Sequence, residues 1–200
     1  MPEAAPFIDV LLGVLTGLGL AAACGFRVFV PLLAVSLAVR MDVLEVRAGF
    51  QWMGSTPALV AFSVATLVEV ASYFLPWLDN LLDLGATPAA ALAGALIAGA
   101  TMVEVDPWLR WSLSLVAGAG LATAVQLPTA ASRLASTGSS GGAANFGISL
   151  GELVGAALLS GMAILAPIAV PMVVIAVAVA GLRHVRRRHE RRRSGESVAG

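Results

Sequence analysis

Two glutamates sit inside otherwise apolar runs of the chain: Glu69 between Ala58 and Leu75, and Glu152 between Phe146 and Ala166. A charge at bilayer depth is costly, roughly 2.5–3.5 kcal/mol at a helix centre on insertion scales. A chain keeps such a residue where it has a partner, water or a task. Two carboxylates there can bind a proton, a cation or the cationic group of a substrate. Arg27, itself within an apolar stretch, is the natural counter-charge for one of them, and Arg133 or Gln126 for the other. On a helix, Glu69, Ser72, Pro76 and Asp79 share one stripe. Ser149, Glu152 and Ser160 share another, with Asn145 ahead of them. Lipid cannot satisfy such polar lines, so they must face each other or a watery cavity. The competing reading is a Glu–Arg pair that only locks helices together. Glu152, near the start of its run, also suits a helix N-terminus.

Catalytic chemistry fits poorly, and we expect no enzyme. Both histidines, His184 and His189, lie in an arginine-rich tail, which leaves no histidine triad or histidine metal site at membrane depth. The single cysteine, Cys24, excludes an internal disulfide and a multi-cysteine metal centre. No HExxH or phosphate-binding loop is present, so no metal or cofactor is expected. Asp79 and Asp83, four residues apart, could form an acid pair, which keeps Asp79 among the candidate substrate- or ion-binding residues, although such a pair is more often an ordinary interfacial face.

The elements that must position these groups are membrane helices. The chain is 58% hydrophobic and 12% charged over 200 residues, with a mean hydropathy of +0.91. Runs approaching the ~20 residues needed for a span recur along it. The first, Val10 to Val39, is interrupted by Arg27. Thirty residues make about 45 Å of helix, longer than the ~30 Å hydrocarbon core. Gly25 and Pro31 flank the arginine and predict a broken helix there. A polar connector from Arg40 to Thr56 carries Trp52, a residue of membrane interfaces. A second span, Ala58 to Leu75, ends at Pro76, and residues 77–83 form a short amphipathic turn or helix. The third, Pro88 to Val103, pairs Gly94 with Ala98 and Ala95 with Gly99, spacings that allow close helix approach. After a hairpin at residues 104–107 come a fourth span, Trp108 to Ala131, and a flexible stretch, Ser136 to Gly142. The fifth, Phe146 to Ala166, starts with Gly147, Gly151 and Gly155, a ladder that reads as a packing face. A sixth ends near Leu182.

The expected architecture is thus an all-α polytopic membrane protein. About six transmembrane helices would form a single membrane domain over residues 1–182, in two inverted three-helix repeats (10–104 and 108–182) with a broken first helix. Residues 183–200 form a basic, disordered tail. Seven of the 12 arginines lie there, from Arg183 to Arg193, which puts the C-terminus in the cytoplasm of a cell with the chain in its inner membrane. An even span count places the N-terminus inside too, and Arg40 and Arg47 then fall outside, against that same rule. The expected partners are the lipid bilayer, anionic lipids at the arginine tail, and further copies of the chain as a homo-oligomer, with no nucleic acid.

The segment Glu69-Val-Ala-Ser-Tyr-Phe-Leu-Pro-Trp-Leu-Asp-Asn-Leu-Leu-Asp83 is distinctive. With Gly25-Phe-Arg-Val-Phe-Val-Pro31 and the Thr137-Gly138…Asn145…Glu152 segment, it resembles the DUF4126 family of bacterial integral membrane proteins. The resemblance implies a membrane fold and supplies no activity. It marks Arg27, Glu69, Pro76, Asp79, Asn145 and Glu152. Gln126 stands where the resemblance implies a basic residue or histidine. The reading that follows is a small transporter or permeation protein, with Glu69 and Glu152 as binding or proton-coupling carboxylates and Arg27 orienting them. The alternative is a non-transporting scaffold that binds anionic lipid or partner helices.

Overall fold

A computed structural model describes residues 4–74, 76–140 and 145–173, without the side chains of residues 4–6, 76–81, 83, 84 and 137–140. The described residues are helical throughout their elements. Helix α1 spans Ala4–Cys24, α2 Phe29–Arg40, α3 Thr56–Ala71, α4 Pro76–Thr101, α5 Pro107–Leu113, α6 Ala119–Ser140 and α7 Asn145–Leu165. A 3₁₀ segment, Ala48–Gly54, precedes α3, a shorter one, Ser72–Phe74, follows it, and a π-helical turn, Ser114–Gly118, joins α5 to α6.

Local sequence explains most boundaries. Ser55 caps α3 by accepting the Ala58 N–H at 3.3 Å, with Pro57 in the first turn where its missing N–H costs nothing. Asp106 does the same for α5, accepting from Trp108 at 2.9 Å, again just before a proline. Helix α2 ends in a Schellman turn: the N–H of Val43 reaches the carbonyl of Ala38 at 2.9 Å, and Asp42 takes a φ of 55°. An aspartate tolerates that left-handed conformation better than a branched residue. The long first apolar stretch is broken at residues 25–28, as its glycine and proline predict. Gly25 is pressed on α6, where a Cβ would run into the Ala122 carbonyl and the Val125 side chain. Pro31 sits in the first turn of α2, where no N–H is required.

Helix α1 is the centre of the bundle, packed on α4, α7 and α6, while α2 leans on α3 and α7. Small residues let α1, α4 and α6 approach closely. A Cβ at Gly94 would lie 2.8 Å from that of Ala122 and from the carbonyl oxygen of Gly118, and Gly118 in turn faces Ala98. The small-residue pairs of α4 therefore form a packing seam, as their spacing predicts. The π turn lies on this seam. Arg47 ties the connector to the C-terminal end of α4, its N–H donating to Ala100 and its guanidinium to the Val103 carbonyl.

Apolar stripes face outward. Val60, Val64 and Leu67 of α3 are exposed, as are Leu150, Val154 and Leu158 of α7, whereas Glu69 and Glu152 are buried on the opposite faces. This arrangement, apolar outside and charged inside, is what a lipid solvent selects. Four helical segments are long and apolar enough to cross a membrane: Phe7–Cys24, Thr56–Phe74, Pro107–Ser136 and Asn145–Leu165; Phe29–Arg40 and Gly85–Thr101 are shorter apolar helices.

Several expectations change. Pro76 does not merely close the second span: it opens α4, and residues 77–83 belong to one helix with the third span, with Pro88 inside it. The proline is tolerated at 76 because a helix N-terminus has no use for its N–H. The break before α4 separates Glu69 and Ser72 from Pro76 and Asp79, so these four do not share one helical stripe. Helix α6 continues through Ser140, past the Ser136 at which a flexible stretch was expected to start, and residues 141–142 of that stretch lie outside the described residues. Two of the three ladder glycines of α7 face outward: a Cβ at Gly147 or Gly151 would meet nothing within 4 Å, while at Gly155 the nearest atoms would be those of the Phe26 ring at 3.9 Å. The buried face of α7 is instead Ser149, Glu152, Ala156, Ser160 and Ala163, because the polar side chains must turn inward. The sixth span is described only to Val173, and the arginine tail lies outside the described residues.

Candidate functional site

The break between α1 and α2 brings the buried charges together. Helix α2 starts with Val28, Phe29 and Val30, none of which can cap a helix, and Pro31 has no N–H to offer. Glu69, projecting from α3, supplies the missing acceptor. Its Oε1 accepts the N–H of Val28 at 2.9 Å and its Oε2 that of Phe29 at 3.2 Å. The negative carboxylate also meets the positive end of the α2 dipole. Ser72 fixes the end of α3 by donating to the Glu69 carbonyl at 2.7 Å.

Arg27, the residue at the break, turns to the other glutamate. Its Nη2 lies 2.9 Å from Glu152 Oε2 on α7. Arg133 of α6 approaches the same carboxylate, with Nε 3.5 Å from Oε1. The side chains of this Arg–Glu–Arg group are 4–6% exposed. The ring of Tyr73 lies beneath Arg27, its centroid 4.4 Å from the guanidinium carbon, a cation–π contact. The four charges therefore belong to the α1–α2 break and to three different helices, α3, α6 and α7.

A cavity of about 240 Å³ opens at this point. Arg27, Glu69, Gln126 and Arg133 supply its polar lining, and Phe26, Phe29, Ala86 and Ala89 are among its apolar walls. Gln126 is buried and faces this space, where the resemblance implied a positive residue; Arg133 brings the second positive charge from the same helix. A second cavity, of about 410 Å³, lies along α1 and α4 toward their other ends and includes Asp9, Thr16, Glu45, Thr101 and Glu104. From Ala86 to Thr101 the rise of α4 amounts to about 22 Å. The seam of Gly94, Ala98, Gly118 and Ala122 lies between the two along these helices.

The structure thus brings Arg27, Glu69 and Glu152 into one neighbourhood. Asn145 opens α7 two turns before Glu152 and is half-buried. Asp79 lies in the first turns of α4, and its side chain is outside the described residues. Tyr73 was not singled out from the sequence, although it lies inside the distinctive segment and one helical turn beyond Glu69. Arg110 was passed over too. It is buried within the apolar Pro107–Ser136 segment, with Nε and Nη1 lacking hydrogen-bond partners, and a cation among apolar residues was the available signal. Among the described residues no cluster of three or more histidine, cysteine, aspartate or glutamate side chains is placed to hold a metal.

Comparison with known proteins adds one finding. The model of a family described as a domain of unknown function (DUF4126) matches residues 14–187. No curated protein and no solved structure matches the chain.

Proposed function

The chain belongs to the DUF4126 family, and from the site it carries we propose that it is a small transporter or permeation protein whose solute passes the cavity at the α1–α2 break. The observation that carries this reading is that cavity: about 240 Å³ of space bounded by buried guanidiniums and a buried carboxylate, at a broken helix. Broken helices at charged cavities are where membrane transporters place substrate sites. The second cavity, toward the other end of α1 and α4, gives the reading its other vestibule. The tight glycine–alanine seam would be the barrier between them.

In this reading the chain is a multi-pass protein of the inner membrane with six spans in two inverted halves. The arginine-rich segment 183–193 lies on the cytoplasmic side against anionic lipid. It binds and moves a solute and catalyses nothing. The scaffold reading draws on the Arg27–Glu152–Arg133 group, which joins α6 and α7 to the break and suits a static lock.

Purified protein in liposomes separates the two. Stopped-flow light scattering after an osmotic step, with a panel of small neutral, anionic and zwitterionic solutes, should show permeation faster than in empty liposomes for at least one of them. Ala86→Trp, which fills the cavity, should remove that excess while the variant stays folded. Permeation equal to empty liposomes for every solute would favour the scaffold.

A further inference from the structure

The cavity holds both signs of charge on separate elements, and from this we infer that its ligand is a small zwitterion, an α-amino acid with a short side chain. This rests on the permeation reading above and names the chemistry of its solute. Arg27 and Arg133 present guanidinium groups to the cavity, and Glu69, from α3, presents a carboxylate. Glu152 stands behind the two arginines and pairs with both. A zwitterion brings no net charge into this low-dielectric setting, whereas a charged solute would have to be compensated there.

Each pole has a receptor. A carboxylate is the natural ligand of paired guanidiniums, whose planar forks present several N–H donors. Arg27 spends Nη2 on Glu152, and its planar fork carries further N–H groups in a residue that lines the cavity. An ammonium group would be held by Glu69. Its two oxygens each accept one backbone N–H and keep further lone pairs for a ligand. The apolar remainder of the lining, Phe26, Phe29, Ala86 and Ala89, suits a short hydrocarbon side chain. Size agrees: a cavity of about 240 Å³ has room for a solute as small as alanine, serine or proline.

The test uses the wild-type protein and three probes of similar size: alanine, propionate, which keeps only the carboxylate, and propylamine, which keeps only the ammonium. Equilibrium binding of radiolabelled alanine to the purified full-length chain in detergent should be saturable. Unlabelled propionate and propylamine should each compete at least tenfold more weakly than alanine. Glu69→Gln should weaken alanine at least tenfold and leave the weak competition by propionate unchanged. Equal competition by propionate or by propylamine would overturn the inference, as would no alanine binding at all. Its failure stays separate from failure of the permeation reading: excess flux of another solute in the liposome panel would leave permeation standing without the zwitterion.

Discussion

Glu152 is the ion-pair partner of Arg27, at 2.9 Å, across the break in the first apolar stretch. The other glutamate of the pair, Glu69, spends its carboxylate on the backbone that follows the same break. One short segment, residues 27–29, is therefore held from two sides, by a charge on α7 and a charge on α3. The two glutamates have different structural tasks, although both are buried carboxylates in apolar helices.

Removing the carboxylate charge of Glu69 should destabilise the fold through α2. In Glu69→Ala the N–H groups of Val28 and Phe29 lose their acceptor, and an orphaned buried donor costs about 1–3 kcal/mol. Glu69→Gln keeps one acceptor oxygen but turns an amide donor toward the other N–H, so its loss should be smaller and of the same sign. Unfolding of the purified protein by SDS titration would measure both. Equal stability of wild type and Glu69→Ala would mean that the N-terminus of α2 finds another acceptor. Since the residue serves the fold, flux or binding by its variants has to be read on protein shown to be folded.

The Arg27–Glu152–Arg133 group should behave as a coupled unit. Glu152→Gln leaves two buried guanidiniums facing each other without their shared anion, and breaking a buried pair costs about 3–5 kcal/mol. Arg27→Met should cost less, because Glu152 retains Arg133. The double variant should lose less than the sum of the singles by about 1–3 kcal/mol, the range of coupling between residues in one ionic network. Strict additivity in a double-mutant cycle would show that the pairing contributes nothing.

Much of this arrangement was legible in the sequence, and its gaps have physical reasons. Burying a charge in lipid is so unfavourable that Glu69, Glu152 and Arg27 announce themselves by type alone. Gly25 and Pro31 likewise announce the broken helix. Which charge meets which was not legible, because it depends on how α3, α6 and α7 stand around the break. Pro76 misled for a local reason: a proline ends one helix or starts the next with equal ease, and its position in the sequence does not say which. The glycines of α7 misled because spacing marks a possible face without fixing its use. Ser149, Glu152 and Ser160 compete for the interior, and their need for polar partners outweighs the close approach that glycine permits.

Tyr73 supports Arg27 from below, and its contribution should reside in the ring. The guanidinium carbon is 4.4 Å from the ring centroid. Tyr73→Phe keeps the aromatic face and should leave stability nearly unchanged. Tyr73→Leu removes it and should cost about 1–2 kcal/mol, the range for a partly desolvated cation–π contact. If the phenylalanine variant lost as much as the leucine variant, the hydroxyl would be the contributing group.

The two sets of glycines make the sharpest contrast in the chain, since they differ in surroundings and share the same helical setting. A methyl group at Gly94 would lie 2.8 Å from the Ala122 side chain and from the Gly118 carbonyl oxygen. Gly94→Ala must push α4 away from α6, and overpacking of this kind typically costs about 1–3 kcal/mol. At Gly151 a methyl group would meet nothing within 4 Å. There Gly151→Ala gains the intrinsic helix preference of alanine, worth up to about 1 kcal/mol, and should be neutral or stabilising. Thermal unfolding in one detergent, with both variants beside the wild type, reads the opposite signs directly. A destabilised Gly151→Ala would show that the outward glycines of α7 are covered in the assembled protein. That loss should then be accompanied by a smaller particle on size-exclusion chromatography with light scattering, as a second copy of the chain is released.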